Sequence, residues 1–348
     1  MSPELQPVRA TPRLERLART GTELLGCPLP IMCGAMTWIS DPDLVALMSN
    51  LGAFGCLAAG NMPPEQWSEY VDRTRELTNK PFAGNVITIA PHYLPHLEIL
   101  CEKGVSHIIF AGSIPRQSEV ALAKESGAKV LCFASTDTIA RRMLSYGADG
   151  LILEGSEAGG HIGHVSTVVL LQEILFRFPD VPIFVAGGIA TGQMIAHLLL
   201  MGAAGVQMGT RFVMAEECKA HQRFKETFIR ARSREAIATP QYSSKLPVVS
   251  VRALNNDAMK EFGVLQLALL KRMELGEIGR VDAQYEVERY WVGSLRDAAV
   301  DGNVGRGSLM AGQSVGLVNE VRPLREILEQ LVAEADGAIA AAEIRLAR

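Results

Sequence analysis

The sequence predicts an α/β fold: a (β/α)8 TIM barrel with a small helical insertion, or lid, after the eighth strand. Two observations carry this. Short apolar runs bounded by turn signals recur eight times, and they start about 25 residues apart, the spacing of a repeated strand–helix unit. The runs are also apolar throughout instead of alternating, as in parallel sheets covered on both faces. An open doubly wound sheet is the rival arrangement.

The runs are Pro30–Cys33, Ala53–Ala58, Phe82–Ile87, Ser106–Phe110, Ala128–Phe133, Gly150–Leu153, Val181–Ala186 and Ala204–Met208. Between them lie segments of helical period with recognisable starts. Ser40 is placed to cap a helix through Pro42 and Asp43, with Leu44, Leu47 and Met48 on its apolar face. Pro63-Pro64-Glu65, Thr136-Asp137 and Thr191 open three more. Residues 1–23 read as an N-terminal extension and 24–216 as the barrel. Residues 217–300 are helical, charged and poor in strand signals, with turns at Asn255-Asn256-Asp257 and Gly276 to Gly279. They are expected to form the lid. Residues 301–348 return to the barrel and end in an amphipathic helix through Leu324, Ile327, Leu328 and Leu331.

The 348 residues are 48 % apolar and 21 % charged, enough to bury a large core without disulfides or a structural metal. A net charge of −4 leaves no basic excess to neutralise phosphates, which argues against a nucleic-acid partner. Arg9, Arg13, Arg16 and Arg19 cluster, but Glu4, Glu15 and Glu23 dilute them into a solvated helix face. No apolar run reaches the roughly 18 residues of a membrane helix. The six cysteines are scattered without a CxxC pair, the usage of a reducing cytoplasm, and metal ligation is not expected.

In such barrels, function gathers at the C-terminal ends of the strands. The stretch Ala186-Gly187-Gly188-Ile189-Ala190-Thr191-Gly192 follows the seventh strand, and Gly205-Val206-Gln207-Met208-Gly209-Thr210-Arg211-Phe212 spans the end of the eighth. Glycines there let backbone amides approach a phosphate. Ordinary tight turns are the bland alternative. Arg211 could add charge at that phosphate or pair with a carboxylate. After the sixth strand stands Glu154-Gly155-Ser156-Glu157-Ala158-Gly159-Gly160-His161-Ile162-Gly163. Gly159 and Gly160 would bring the chain against a flat ligand and set His161 over the barrel mouth, where an imidazole can give or take a proton. His164 reads as a surface histidine. At the end of the first strand, Gly34, Ala35 and Met36 leave room for a ring system. Asn85, at the end of the third, could read a ligand's heteroatoms or cap a turn.

Together these motifs resemble the nitronate monooxygenase superfamily, which includes the 2-nitropropane dioxygenases and the FMN-dependent type II enoyl-ACP reductases. The similarity covers most of residues 24–320, with EGSEAGGHIG at 154–163 the most specific piece. The stretch from Asp301 through GSLMAGQ at 307–313 looks like the family's C-terminal signature. The resemblance implies that Asn85, Glu154, Gly159, Gly188, Gln207, Met208, Gly209 and Thr210 contact FMN and that His161 is catalytic. It implies NAD(P)H as electron donor and an acyl thioester or small molecule as substrate. Cys33-Gly34-Ala35 departs from the Gln-Gly-Gly common among relatives, and Phe110-Ala111-Gly112-Ser113 departs from the reductase branch. Glu154 and Ile162 side with the reductases.

The expected function is therefore reduction of enoyl thioesters by NAD(P)H on FMN. A nitronate monooxygenase and an NAD(P)H:quinone reductase are the alternatives on the same scaffold. A flavin-free phosphate-binding lyase or isomerase is the alternative of another class, and a homodimer stays open.

Overall fold

The computed structural model describes residues 6–248 and 250–347, so Glu4 of the N-terminal extension lies outside the described residues. The chain enters through helix α1 (Pro12–Leu25), capped by the Thr11 side chain, which accepts from Leu14 N. Then come β1 (Ile31–Cys33), α2 (Pro42–Asn50), β2 (Phe54–Ala58), α3 (Pro64–Leu77), β3 (Ala83–Ile87) and α4 (Tyr93–Glu102). They are followed by β4 (His107–Ala111), α5 (Gln117–Glu125), β5 (Lys129–Ala134), α6 (Asp137–Ser145) and β6 (Gly150–Glu154). A two-residue strand, β7 (Gly160–His161), stands in the loop before α7 (Thr167–Ile174). Strand β8 (Ile183–Ala186), α8 (Gly192–Leu200) and β9 (Gly205–Met208) complete the alternation.

The closed barrel runs β1-β2-β3-β4-β5-β6-β8-β9. It closes where Ile31 sits opposite Val206 and Cys33 opposite Met208 in a parallel pair. The expected barrel is present, and its strands start within two residues of the runs read from sequence. They read as continuously apolar because both faces are buried. Met32, Phe54, Ile109, Leu131, Ile152 and Phe184 fill the interior, while Ile31, Leu57, Val130 and Val185 face the helices. Each such side chain stabilises by about 1.5–3 kcal/mol through removal from water.

Local chemistry places the helices. Thr136 caps α6 by accepting from Ile139 N, and Thr191 caps α8 by accepting from Met194 N. The cap of α2 differs from expectation: Asp41, not Ser40, accepts from Leu44 N, with Pro42 at the first helical position. Ser40 is drawn one residue further from the helix, where its hydroxyl donates to Gly34 O and accepts from Met36 N, both at 2.9 Å. It shapes the loop after β1 instead of starting the helix.

After the barrel come α9 (Thr210–Val213), α10 (Gln222–Arg230), β10 (Ala236–Ala238), β11 (Val251–Leu254), α11 (Asp257–Glu274), α12 (Arg280–Ala299) and α13 (Leu324–Leu346). The insertion is not purely helical, as the sequence suggested. Strands β10 and β11 join β7 in a three-stranded sheet of order β10-β11-β7. The lid segment has its own core, centred on Phe262 and Trp291 with ring centroids 4.4 Å apart, joined by Val251, Leu269 and Val287. Helix α13 lies on the barrel exterior against α8. Its Leu324, Ile327, Leu328 and Leu331 are buried, and Glu334 accepts from Gly192 N at 2.8 Å.

Candidate active site

A cavity of about 1180 Å³ opens at the C-terminal ends of the barrel strands. Every site residue expected from the sequence lines it: Gly34, Ala35 and Met36 after β1, Asn85 on β3, Glu154 on β6, and Gly159, Gly160 and His161 around β7. Gly187 and Gly188 after β8, and Gln207, Met208, Gly209 and Thr210 around the end of β9, complete that set. Helix α12 roofs the same cavity with Tyr285, Glu288, Arg289 and Val292.

The two glycine loops form one wall. The amides of Gly187, Gly188, Gly209 and Thr210 donate to no backbone carbonyl among the described residues. Gly188 has φ +75, a backbone that disfavours any side chain, and a Cβ there would come 3.2 Å from Glu157 Cβ. Unpaired amides at adjoining loop ends are a setting for an anion. Arg211 takes no part in it. Its guanidinium is buried and donates to Gln330 Oε1 at 2.9 Å, tying the β9 end to α13. Both sequence readings of Arg211 are corrected by this contact: it neither lines the cavity nor bonds a carboxylate.

Asn85 is no turn cap either. It sits within β3, buried, with its side-chain amide reaching Ile109 O across to β4 at 3.4 Å. Thr210 lines the cavity, but its hydroxyl accepts from Gly312 N at 3.0 Å, which anchors the C-terminal glycine signature to the barrel. Gly159 is pressed against that same signature: a Cβ on it would fall 2.4 Å from Gly312 N. His164 is exposed, as a surface histidine should be.

His161 and two carboxylates form the titrating end of the cavity. Burial opposes charge on the imidazole. The Glu288 carboxylate, 3.3 Å from Nε2, and Glu154 outweigh this and raise the His161 pKa above its ordinary value. Glu154 is pushed up to about 8 by burial, with the His161 charge working the other way. The arrangement therefore favours the charged form of the His161 imidazole, while burial favours the neutral form of Glu154.

Glu288 was missed from sequence, because a carboxylate on a charged helix ordinarily faces solvent. One signal was present: Glu288 lies beside Val287 and three residues before Trp291, both in the lid core. The helix that carries it is latched to the barrel. Trp38 Nε1 donates to Val292 O at 3.1 Å, and Arg296 lies over the Trp38 ring at 5.9 Å. Trp38 has φ +68, the one positive φ outside glycine among the described residues. Such a backbone costs of order 1–3 kcal/mol and persists where surrounding contacts impose it.

Comparison with known proteins agrees with this architecture. The nitronate monooxygenase family matches residues 19–98 and 87–334. The (3aS,4S,5R,7aS)-5-hydroxy-7a-methyl-1-oxo-octahydro-1H-indene-4-carboxyl-CoA dehydrogenase of Rhodococcus jostii is 28 % identical, over 90 % of this chain and 94 % of its own length. A probable nitronate monooxygenase of Staphylococcus aureus is 26 % identical, over 89 % of this chain and 95 % of that protein. The structure of FabK from Thermotoga maritima superposes with a TM-score of 0.82 at 33 % identity, covering 97 % of this chain and 99 % of FabK. With its closed parallel barrel and the family match across nearly its whole length, the chain belongs to the nitronate monooxygenase family of flavin-dependent oxidoreductases.

Proposed function

We propose that the protein is an FMN-dependent reductase of enoyl thioesters that draws electrons from NAD(P)H. The observation that carries this reading is the His161–Glu288 pair, an imidazole at the cavity whose charged form the neighbouring carboxyl group favours. Saturating an enoyl thioester requires a proton at the α-carbon, and His161 is placed to give it. A nitronate is already deprotonated at carbon, so its oxidation makes no such demand. The carboxyl-CoA group in the name of the Rhodococcus relative supports a thioester substrate.

FMN suits the residues present. The unpaired amides of Gly187, Gly188, Gly209 and Thr210 match a single phosphate, and the bare Gly188 leaves the approach clear. Met36 and Ala35 offer an apolar surface, and Asn85 and Gln207 polar groups, for a ring system. When bound, FMN supplies the two-electron relay between donor and substrate. The chain orients the partners, excludes water beneath α12, and holds the proton at His161. Glu154, largely neutral, offers a hydrogen-bond donor where an ionised carboxylate would repel developing negative charge.

Family membership among oxidoreductases removes the flavin-free lyase reading. A nitronate monooxygenase remains the second reading, favoured by the Staphylococcus relative. One comparison separates them: crotonyl thioester, an alkyl nitronate and a quinone, each under air and argon, with NAD(P)H oxidation followed by absorbance. Thioester-stimulated NAD(P)H oxidation under argon is expected. Oxygen-dependent nitronate turnover without NAD(P)H, and no response to the thioester, would overturn the proposal.

A further inference from the structure

We propose that Glu288 is the positioning residue for the His161 imidazole, so that the proton donor is complete only while the lid helix is seated on the barrel. The role given to that proton rests on the reductase reading; the pairing itself does not.

The geometry makes the device. His161 belongs to β7 and Glu288 to α12, two elements more than a hundred residues apart in sequence. The carboxylate Oε2 stands 3.3 Å from His161 Nε2, and both side chains are largely covered, at 34 % and 20 % exposure. That nitrogen has no hydrogen-bond partner of good geometry among the described residues, so the pairing is one of charge, exerted where little water intervenes. Glu154 on β6 is the second group that favours the charged imidazole. Strand β11 brings Arg252 alongside, but its guanidinium is committed to Ser156 O at 3.0 Å and Ala236 O at 2.5 Å. The neighbouring Glu286 on α12 is neutralised by Arg272 at 2.9 Å, and Arg289 is exposed. Met310, Gly312 and Ser314, from the C-terminal loop, line the cavity without charge. Glu288 is therefore the carboxyl group that stands against His161 from the lid.

The lid is seated at a definite point. Trp38, on the barrel loop after β1, bonds Val292 O, one helical turn beyond Glu288. The barrel thereby fixes the stretch of α12 that presents the carboxylate. If α12 lifts, His161 keeps its backbone place in β7 but loses its counter-charge, its proton affinity falls, and the site ceases to be a ready acid.

The test titrates His161 directly in the flavin-loaded enzyme, by NMR of the imidazole carbons, in wild type, Glu288→Gln, Glu288→Asp and Trp38→Phe. Glu288→Gln should lower the midpoint, Glu288→Asp should restore part of it, and Trp38→Phe should lower it with the carboxylate still present. In parallel, the alkaline limb of the kcat profile should move to lower pH in Glu288→Gln, with KM little changed. An unchanged His161 midpoint in folded Glu288→Gln overturns the inference. Absence of thioester turnover in wild type would instead overturn the reductase reading and leave the titration result standing.

Discussion

His161 pairs in antiparallel register with Val251, so the candidate proton donor is held by the backbone of the inserted segment as well as by its own barrel loop. The next residue, Ile162, continues the attachment by donating its amide to Ser250 O at 2.9 Å. The insertion and the loop that carries His161 are one structural unit at this point. A side-chain change at His161 therefore leaves the backbone pairing intact.

The first prediction follows from that separation. His161→Ala should keep its fold and flavin but lose about 10² to 10⁴ in turnover, the usual worth of a positioned acid or base. Flavin stoichiometry by absorbance and kcat with the best substrate check both halves. Full turnover in the variant would remove His161 from the chemistry.

Gly209 and Gly188 both line the wall proposed for the flavin phosphate, yet they should respond differently. At Gly209 the backbone has φ −116, open to any residue, and a Cβ meets only the flexible Met36 side chain, with Sδ at 3.4 Å. Gly209→Val should therefore weaken flavin binding with little change in melting temperature. At Gly188 the positive φ adds backbone strain, so Gly188→Val should also lose about 1 kcal/mol or more of stability. Flavin titration beside thermal unfolding separates the two effects. Unchanged flavin affinity in both variants would make these turns structural only.

Gly159 tests the closure between the β6–α7 loop and the C-terminal signature. An alanine there would set its Cβ 2.4 Å from Gly312 N and 2.5 Å from Ala311 C, and backbone on one side must yield. Gly159→Ala should cost about 1–3 kcal/mol, the usual range for overpacking. Proteolysis should then cut first near residues 310–314. Wild-type stability in this variant would mean that the loops are not in contact.

The barrel was legible in the sequence because its strands are buried on both faces and their ends carry glycine, proline or threonine signals. Thr136 and Thr191 act through a single hydroxyl that only needs to stand before a helix. Ser40 and Asp41 compete for the same task, and the carboxylate at Asp41 prevails while Ser40 serves the loop. The sheet β10-β11-β7 was not legible: its strands have three, four and two residues. Runs that short give no period to detect. Glu288 escaped for another reason. Its partner His161 lies across the fold, and although Val287 and Trp291 mark a buried face beside it, nothing in the helix itself tells which group Glu288 meets.

The last prediction concerns Glu154, whose folded-state pKa of about 8 lies above the ordinary carboxyl value of 4.5 because of burial. Between those two values the folded protein holds a proton that the unfolded chain has released. Stability contributed at this position therefore falls as pH rises across the window. Glu154→Gln keeps the shape of the neutral acid and removes its titration. The variant should unfold like wild type below about pH 4.5 and gain on it as pH rises to 8, by an amount on the order of a few kcal/mol. It should also keep its flavin, since a neutral carboxyl and an amide both offer the site a hydrogen-bond donor. His161 bears on the size of the gain, because its positive charge stabilises the ionised Glu154 and disappears at alkaline pH. Urea unfolding of both proteins between pH 4 and 8.5 measures the difference directly. A constant gap across that range would show that Glu154 titrates as an ordinary exposed carboxyl. The neutral role assigned to it in the site would then be wrong.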